Sequence, residues 1–498
     1  MSRPPAGRVR PLWSRSTAFA LLLILPACTG LHERNVPDSI RGTLPDHYGA
    51  GAAGSDAAPP LDNEWWRAFG DATLDRLVEQ ALRDNGDLAV GAARLLQARA
   101  IAREEAAARW PTLGAFFGAQ RQRELNPLGG GTVIAHGTSA GLNASYELDL
   151  WGRLNSTAVA ARQRFLAQGF NYASLRLTIE AELVRGYLQL QAIDAQVTVL
   201  TESVALLADA FRLSEQRYRA GSIAELDLAQ VRAELEDSRA ALADTGQQAR
   251  ATRRALLILA GLTPSPEVSA DTRIEPQQMV LRTLPEVPVG LPSQLLDRRP
   301  DLREAEARLA AARADLSAAR RAFLPSVSLT ASGGRSSQSL GSLLSNSGTV
   351  WSLGANVAQT IFAGGRLRAQ EQLAAATRTE LLETYRNAAR SAYRDVLDAL
   401  DARSAAIVTF GARQRQAEAL ERALHLAQRR YDEGYSGYLD VLDARRSLLQ
   451  TRLQEVQARS QADSAFVSLA IALGGGWSPS DAAAPIASRG AVTGESSR

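Results

Sequence analysis

From Ala140 to Leu148 the even positions are apolar (Ala140, Leu142, Ala144, Tyr146, Leu148) and the odd ones small or polar (Gly141, Asn143, Ser145, Glu147). That is the period-two pattern of a strand with two unlike faces. Directly after Gly152 the period changes, and helix formers continue without a proline to about Ala220. At ~1.5 Å per residue this run makes a rod on the order of 100 Å long, more than a compact domain can hold. The unit recurs: Trp351, Leu353, Ala355 and Val357 alternate with Ser352, Gly354, Asn356 and Ala358, and Gly364-Gly365-Arg366-Leu367 stands where Trp151-Gly152-Arg153-Leu154 stood. The spacing from Arg153 to Arg366 is also that from Tyr218 to Tyr431, Gly221 to Gly434, Asp227 to Asp440 and Gly261 to Gly474. Upstream of the strands it is one residue longer, as from Asp87 to Asp301 and Pro111 to Pro325. The chain reads as an internal tandem duplication, with a first repeat over 65–262 and a second over 293–475.

Taken in order, Trp65-Trp66 and Phe69 open the folded part, and helices are predicted over 71–83 and 87–109, the second stopped by Pro111. Strands over 112–123 and 139–149 flank a glycine-rich loop at 124–137 and make a hairpin. Helices follow over 154–220 and 224–261, broken at Gly221, and a proline-rich linker spans 263–292. The second half predicts helices over 294–299 and 301–323, and strands over 326–337 and 349–363 around a Gly/Ser loop at 338–348. Its helices run over 367–433 and 438–473, broken at Gly434, and 476–498 reads as a disordered tail. Alanine-rich spacings of seven, Leu367-Ala374-Leu381-Ala388 and Leu226-Ala233-Ala240, permit close antiparallel helix packing.

Both helical connections of a hairpin lie on one side of it and the loop on the other, so the helices share one compartment and the loops face the opposite one. Strands of this length fit a tilted crossing of a bilayer. Four strands cannot close, and open edges are not tolerated in lipid, so copies must pool them. A dimer would give eight strands and a barrel filled by its own side chains, a trimer twelve strands and an open lumen. The small, polar inward positions favour the trimer. The expected class is an α+β membrane protein whose transmembrane β-barrel continues into long helices.

Arginines at 3, 8, 10 and 15, the apolar run 18–25 and Pro26-Ala27-Cys28 predict an export signal over 1–27. Cys28 sits as the lipidated first residue of a mature lipoprotein would, and Thr29 rather than Asp implies sorting to the outer membrane. Residues 28–64 read as a tether. With 1 cysteine in the chain there is no internal disulfide. Basic and acidic residues, 56 against 53, balance and are spread along the helices, which gives a nucleic-acid role little support. Histidines 32, 47, 136 and 425 are scattered without metal-ligand spacing, so neither a metal centre, a bound cofactor nor a catalytic site is expected.

Trp65-Trp66-x-x-Phe69-x-Asp71, Arg299-Pro300-Asp301-Leu302, the helix-to-strand junctions at Pro111 and Pro325, both Tyr-x-x-Gly turns and the doubled architecture resemble the TolC-like outer-membrane efflux factors, in the lipoprotein branch that serves resistance-nodulation-division (RND) pumps. The match runs from Trp65 to Gly475. The resemblance implies a homotrimer with a twelve-stranded barrel in the outer membrane and a twelve-helix barrel in the periplasm, joined to a periplasmic adaptor and an inner-membrane pump. Carried over residue by residue, it places Leu439, Asp440, Asp443 and Arg446 at the periplasmic aperture and Gly221, Ser222, Gly434 and Tyr435 at the tips that meet the adaptor. The first half has Gln230 where the second has Asp443, so the full acidic pair belongs to one half. Acids in the first turns of a helix also simply oppose its dipole. A duct for polypeptide secretion and a periplasmic coiled-coil scaffold are the alternative readings.

Overall fold

The computed structural model describes Tyr48 and residues 63–125, 129–264, 295–345, 348–475 and 477. A 3₁₀ turn, Trp65–Phe69, leads into α1 (Ala72–Asp84), α2 (Gly86–Ala107), β1 (Thr112–Leu125), β2 (Thr132–Leu148), α3 (Arg153–Arg219) and α4 (Glu225–Leu259). The second half repeats this order: α5 (Leu295–Arg298), α6 (Pro300–Arg321), β3 (Ser326–Ser337), α7 (Leu340–Ser345), β4 (Gly348–Ala358), α8 (Arg366–Asp432) and α9 (Tyr438–Ala472). The halves agree in length: α2 and α6 each have 22 residues, α3 and α8 each 67, α4 and α9 each 35.

The strands form one antiparallel sheet in the order β1-β2-β3-β4, so the two hairpins join at the β2–β3 seam. Beneath it the helices pack in the same order, α2 on α3, α3 on α6 and α6 on α8, each continuing the strand to which it is linked. In the far half of the molecule α4 packs on α3, α3 on α9 and α9 on α8. The shorter helices abut end to end. The Asn85 side chain, which caps α2 by accepting from Asp87 N and Leu88 N, donates to the Leu259 carbonyl at the end of α4. In the second half Arg299, preceding α6, donates to the Ala472 carbonyl at the end of α9. The helix ends come so close that a Cβ on Gly261 would lie 2.4 Å from Asp84 O, and one on Gly474 2.6 Å from Arg298 O. Among the described residues the subunit is therefore four columns, α2 over α4, α3, α6 over α9, and α8, under four strands, with β1 and β4 as free sheet edges.

The signature residues hold the waist. Trp66 is fully buried, Phe69 meets the Phe466 ring edge-on at 5.5 Å, and Asp71 caps α1 through Thr73 N and Leu74 N while accepting from Tyr187 Oη at 2.7 Å. In Arg299-Pro300-Asp301 the proline takes the first helical position, where its missing N–H costs nothing. The Arg299 guanidinium spans Asp301 at 2.8 Å and Asp395 of α8 at 3.3 Å. Tyr48, buried, stacks on Tyr393 of α8 at 5.6 Å.

Four expectations are corrected. The loop placed at 124–137 is mostly strand, with β1 and β2 pairing as far as Leu125 opposite Thr132, because Thr132-Val133-Ile134 carry strand propensity that outweighs Gly137. The loop at 338–348 contains α7, and β4 ends at Ala358 rather than 363. Trp477, placed in the tail, is docked: its ring meets Phe170 edge-on at 5.8 Å and its Nε1 donates to the Arg298 carbonyl. The spacing of seven on α4 is left untouched: within the single chain Val231, Leu235 and Ser238 are buried and Leu226, Ala233 and Ala240 exposed, and alanine, common on both faces, does not mark which one packs. The signal segment, Cys28, nearly all of the tether and of the linker, and the tail apart from Trp477 lie outside the described residues.

Candidate functional site

Strand register carries the two-faced pattern across the whole sheet. Leu113, Ala144, Ala331 and Leu353 stand in one row, and Ala115, Leu142, Gly333 and Trp351 in the next. The opposite face carries Gly114, Asn143, Ser332 and Ser352, then Phe116, Gly141, Gly334 and Val350. One face is therefore apolar and the other mostly small or polar, with Phe116 and Val350 as its large apolar exceptions. From Leu148 to Ala140 the apolar belt spans about 27 Å of strand at ~3.4 Å per residue, the scale of the lipid-facing band of a membrane barrel. Its large side chains are exposed, Trp351 at 78%, Leu353 at 76% and Val357 at 66%, which in water would be a costly patch. Trp110, Trp151, Ile361 and Phe362 stand exposed at the strand roots, where aromatic side chains suit a membrane interface.

The strand-to-helix junction is built locally. Asp149 accepts from Leu154 N at 3.0 Å and Asn155 N at 2.7 Å at the start of α3, offsetting its orphan donors. Gly152 and Gly365 take the left-handed backbone that starts α3 and α8. Trp151 Nε1 donates to the Pro325 carbonyl at 2.7 Å, tying the first junction to the root of β3.

At the far end both helix pairs turn through a left-handed glycine. Ser222 N donates to Arg217 O and Gly221 N to Tyr218 O, and Tyr435 N to Arg430 O and Gly434 N to Tyr431 O, the paired bonds of a Schellman motif. Ser222 and Tyr435 are exposed at these tips, and a Cβ on either glycine would meet nothing within 4 Å. Leu439, Asp440, Asp443 and Arg446 are exposed on α9, whose Val441 and Leu442 are buried. Arg446 Nη2 pairs with Glu234 Oε2 of α4 at 2.5 Å, a contact that raises the arginine's pKa. Arg217 of α3 donates to Tyr431 Oη of α8 at 2.5 Å and lies over its ring, while Tyr438 packs on the same ring at 5.1 Å. Burial pushes the Tyr438 phenol up. In the first half Asp227 accepts from Ala224 N at 3.3 Å, so there the acid serves the helix start.

Sequence periodicity does not single out Glu234 or Tyr438. The available sign was asymmetry: Ser447 and Glu225 stand at the corresponding positions of the other half, and Ala233 stands where the second half has Arg446.

A sheet with one lipid-compatible and one mostly small or polar face, each strand continued by a helical column, defines the subunit of an outer-membrane channel prolonged by helices. The family described as Outer membrane efflux protein matches residues 77–262 and again 291–475. The chain is 36% identical over 433 residues to the pyoverdine export outer membrane protein OpmQ of Pseudomonas aeruginosa, covering 86% of this chain and 90% of that protein. It is 32% identical over 462 residues to the cation efflux system protein CusC of Escherichia coli, covering 91% and 98%. The crystal structure of the Campylobacter jejuni CmeC outer membrane channel superposes with a TM-score of 0.82 at 26% identity, covering 89% of this chain and 94% of that one. The chain belongs to the outer membrane efflux protein family and is an efflux channel of the TolC-like fold.

Proposed function

We propose that three copies close edge to edge, β4 of one against β1 of the next, into a twelve-stranded barrel continued by a twelve-helix periplasmic tube. In this reading the duplicated halves supply alternating staves of a passive duct, with no catalytic role, anchored by a lipid on Cys28. It receives small molecules from a periplasmic adaptor and an inner-membrane RND-type pump and releases them outside. The observation that carries the reading is the in-register, two-faced sheet whose two edges are both free among the described residues. In lipid each unpaired backbone group costs several kcal/mol, and twelve strands leave a lumen that eight would fill. The apolar Val90 and Ile101 of α2 and Ile407 and Val408 of α8, on the end columns, are exposed in the single chain, as side chains at a subunit interface would be.

Asp440 and Asp443, repeated three times, would ring the aperture with carboxylates that attract cations. The ties from Arg217 to Tyr431 and from Arg446 to Glu234 would hold the helix ends together there. The detergent-extracted particle is expected to contain three subunits and to conduct in planar bilayers with a cation preference that Asp440→Ala/Asp443→Ala reduces. A monomer would end the trimer reading, and unchanged selectivity would end the role of the two acids.

The tips at Gly221-Ser222 and Gly434-Tyr435 are proposed to meet the adaptor's helical hairpin. Because open space surrounds both glycines, Gly221→Leu/Gly434→Leu strains the turns by about 1 kcal/mol each and leaves the fold in place. Its expected effect is loss of pump-dependent resistance with normal amounts of channel in the membrane; full resistance would refute the docking role.

A further inference from the structure

Past the apolar belt the first hairpin stands proud of the second. β2 pairs with β3 only as far as Thr138 but with β1 as far as Thr132. On the belt's side of this projecting ribbon Arg121 faces His136 and Arg123 faces Ile134 across the strands. Both arginines are exposed. Arg335 lies on the same face, in register with Ala140 at the edge of the belt, and its Nη1 donates to the Leu344 carbonyl at 3.5 Å. The rows on this side contain no Asp or Glu in any of the four strands, so among the described residues no carboxylate of the sheet neutralises the guanidinium groups from that face. Arg121 and His136 stand about 14 Å along the strand beyond Ala140 at ~3.4 Å per residue, a headgroup's depth from the hydrocarbon. Arg123, opposite Ile134, stands about 20 Å beyond Ala140 at the same rise. Two guanidinium forks thus follow one another outward above an apolar wall of Phe117, Leu142 and Trp351 and offer a lipid both a phosphate site and a surface for its acyl chains.

We propose that Arg121 and Arg123, with His136 beside them, bind the phosphates of a phosphorylated glycolipid in the outer leaflet, its acyl chains lying along the apolar belt. This rests on the reading above, in which the hairpin ends face the exterior. Charge complementarity and continuity with the belt select a lipid over free phosphate, which would gain nothing from the apolar wall.

The test uses the full-length detergent-extracted particle and native mass spectrometry, with bis-phosphorylated and dephosphorylated lipid A as the paired probes and inorganic phosphate as competitor. Wild type is expected to retain the phosphorylated form about ten-fold better, with millimolar phosphate displacing little of it. Arg121→Gln/Arg123→Gln should lose that preference, and Arg121→Lys/Arg123→Lys should keep most of it. Equal retention of the two lipids by wild type, complete displacement by inorganic phosphate, or an undiminished preference in the Gln variant would overturn the proposal. Bilayer conductance of the same preparations reports on the duct separately: a particle that prefers phosphorylated lipid A but does not conduct would count against the duct and not against the lipid site.

Discussion

Gly141→Val is expected to part the two hairpins. Gly141 faces Gly334 across the β2–β3 seam, and a Cβ there would lie 2.5 Å from the Gly333 carbonyl oxygen, 2.8 Å from Gly334 Cα and 3.0 Å from the Phe116 ring. Two of these neighbours are backbone and cannot turn aside as a side chain could. The reciprocal approach is as tight, since a Cβ on Gly334 would lie 2.3 Å from Ala140 O. The cost should reach about 3 kcal/mol, the upper end for overpacking, and it falls on the one pairing that joins the halves of the sheet. Gel mobility of unheated against heated membrane protein should show a heat-modifiable assembly in wild type and little or none in the variant. Gly333→Val is the control: next to Gly334 in β3 but on the opposite face of the sheet, its Cβ would meet nothing within 4 Å, and assembly should be preserved. Normal assembly of Gly141→Val would mean that the seam is not packed as described.

The second large effect lies at the waist. Asp71→Ala removes the acceptor for Thr73 N at 2.9 Å and Leu74 N at 3.3 Å, and an acceptor used by Tyr187 Oη at 2.7 Å and Gln191 Nε2 at 3.2 Å. A lost N-cap costs about 1 kcal/mol, and each buried polar group deprived of a partner about 1–3 kcal/mol. Asp71 and Tyr187 are both within the core, at 1% and 0% exposure, so a total near 4 kcal/mol is expected. Asp71→Asn keeps a capping oxygen and should lose much less. Thermal denaturation followed by helical ellipticity separates the two; equal midpoints for the alanine variant and wild type would show that Asp71 does not hold α1 against α3.

The Trp-Trp and Arg-Pro-Asp signatures were readable as markers of a family, yet their physical work is visible only with partners in place. Asp71 meets Tyr187 and Gln191, and Arg299 meets Asp395 and the end of α9. All are distant in sequence. The tip shows the same division. Gly221 and Gly434 announce helix ends locally, because a left-handed residue there admits the Schellman bonds, whereas the pairing of Arg446 with Glu234 joins the two halves and follows from no local pattern.

By itself the sequence determined the long elements and their repetition, though not α7 or the ends of β2 and β4, since strand alternation, helix runs and the glycines and prolines that end them act over a few residues. It also determined which strand face is apolar, because a period of two leaves no choice once the register is held. Only the tertiary structure decided that β2 lies against β3, that α4 abuts α2 and α9 abuts α6, and which side of the alanine-rich α4 is buried. Those outcomes depend on close approach between segments far apart along the chain, and small side chains permit such contact on several faces without naming one.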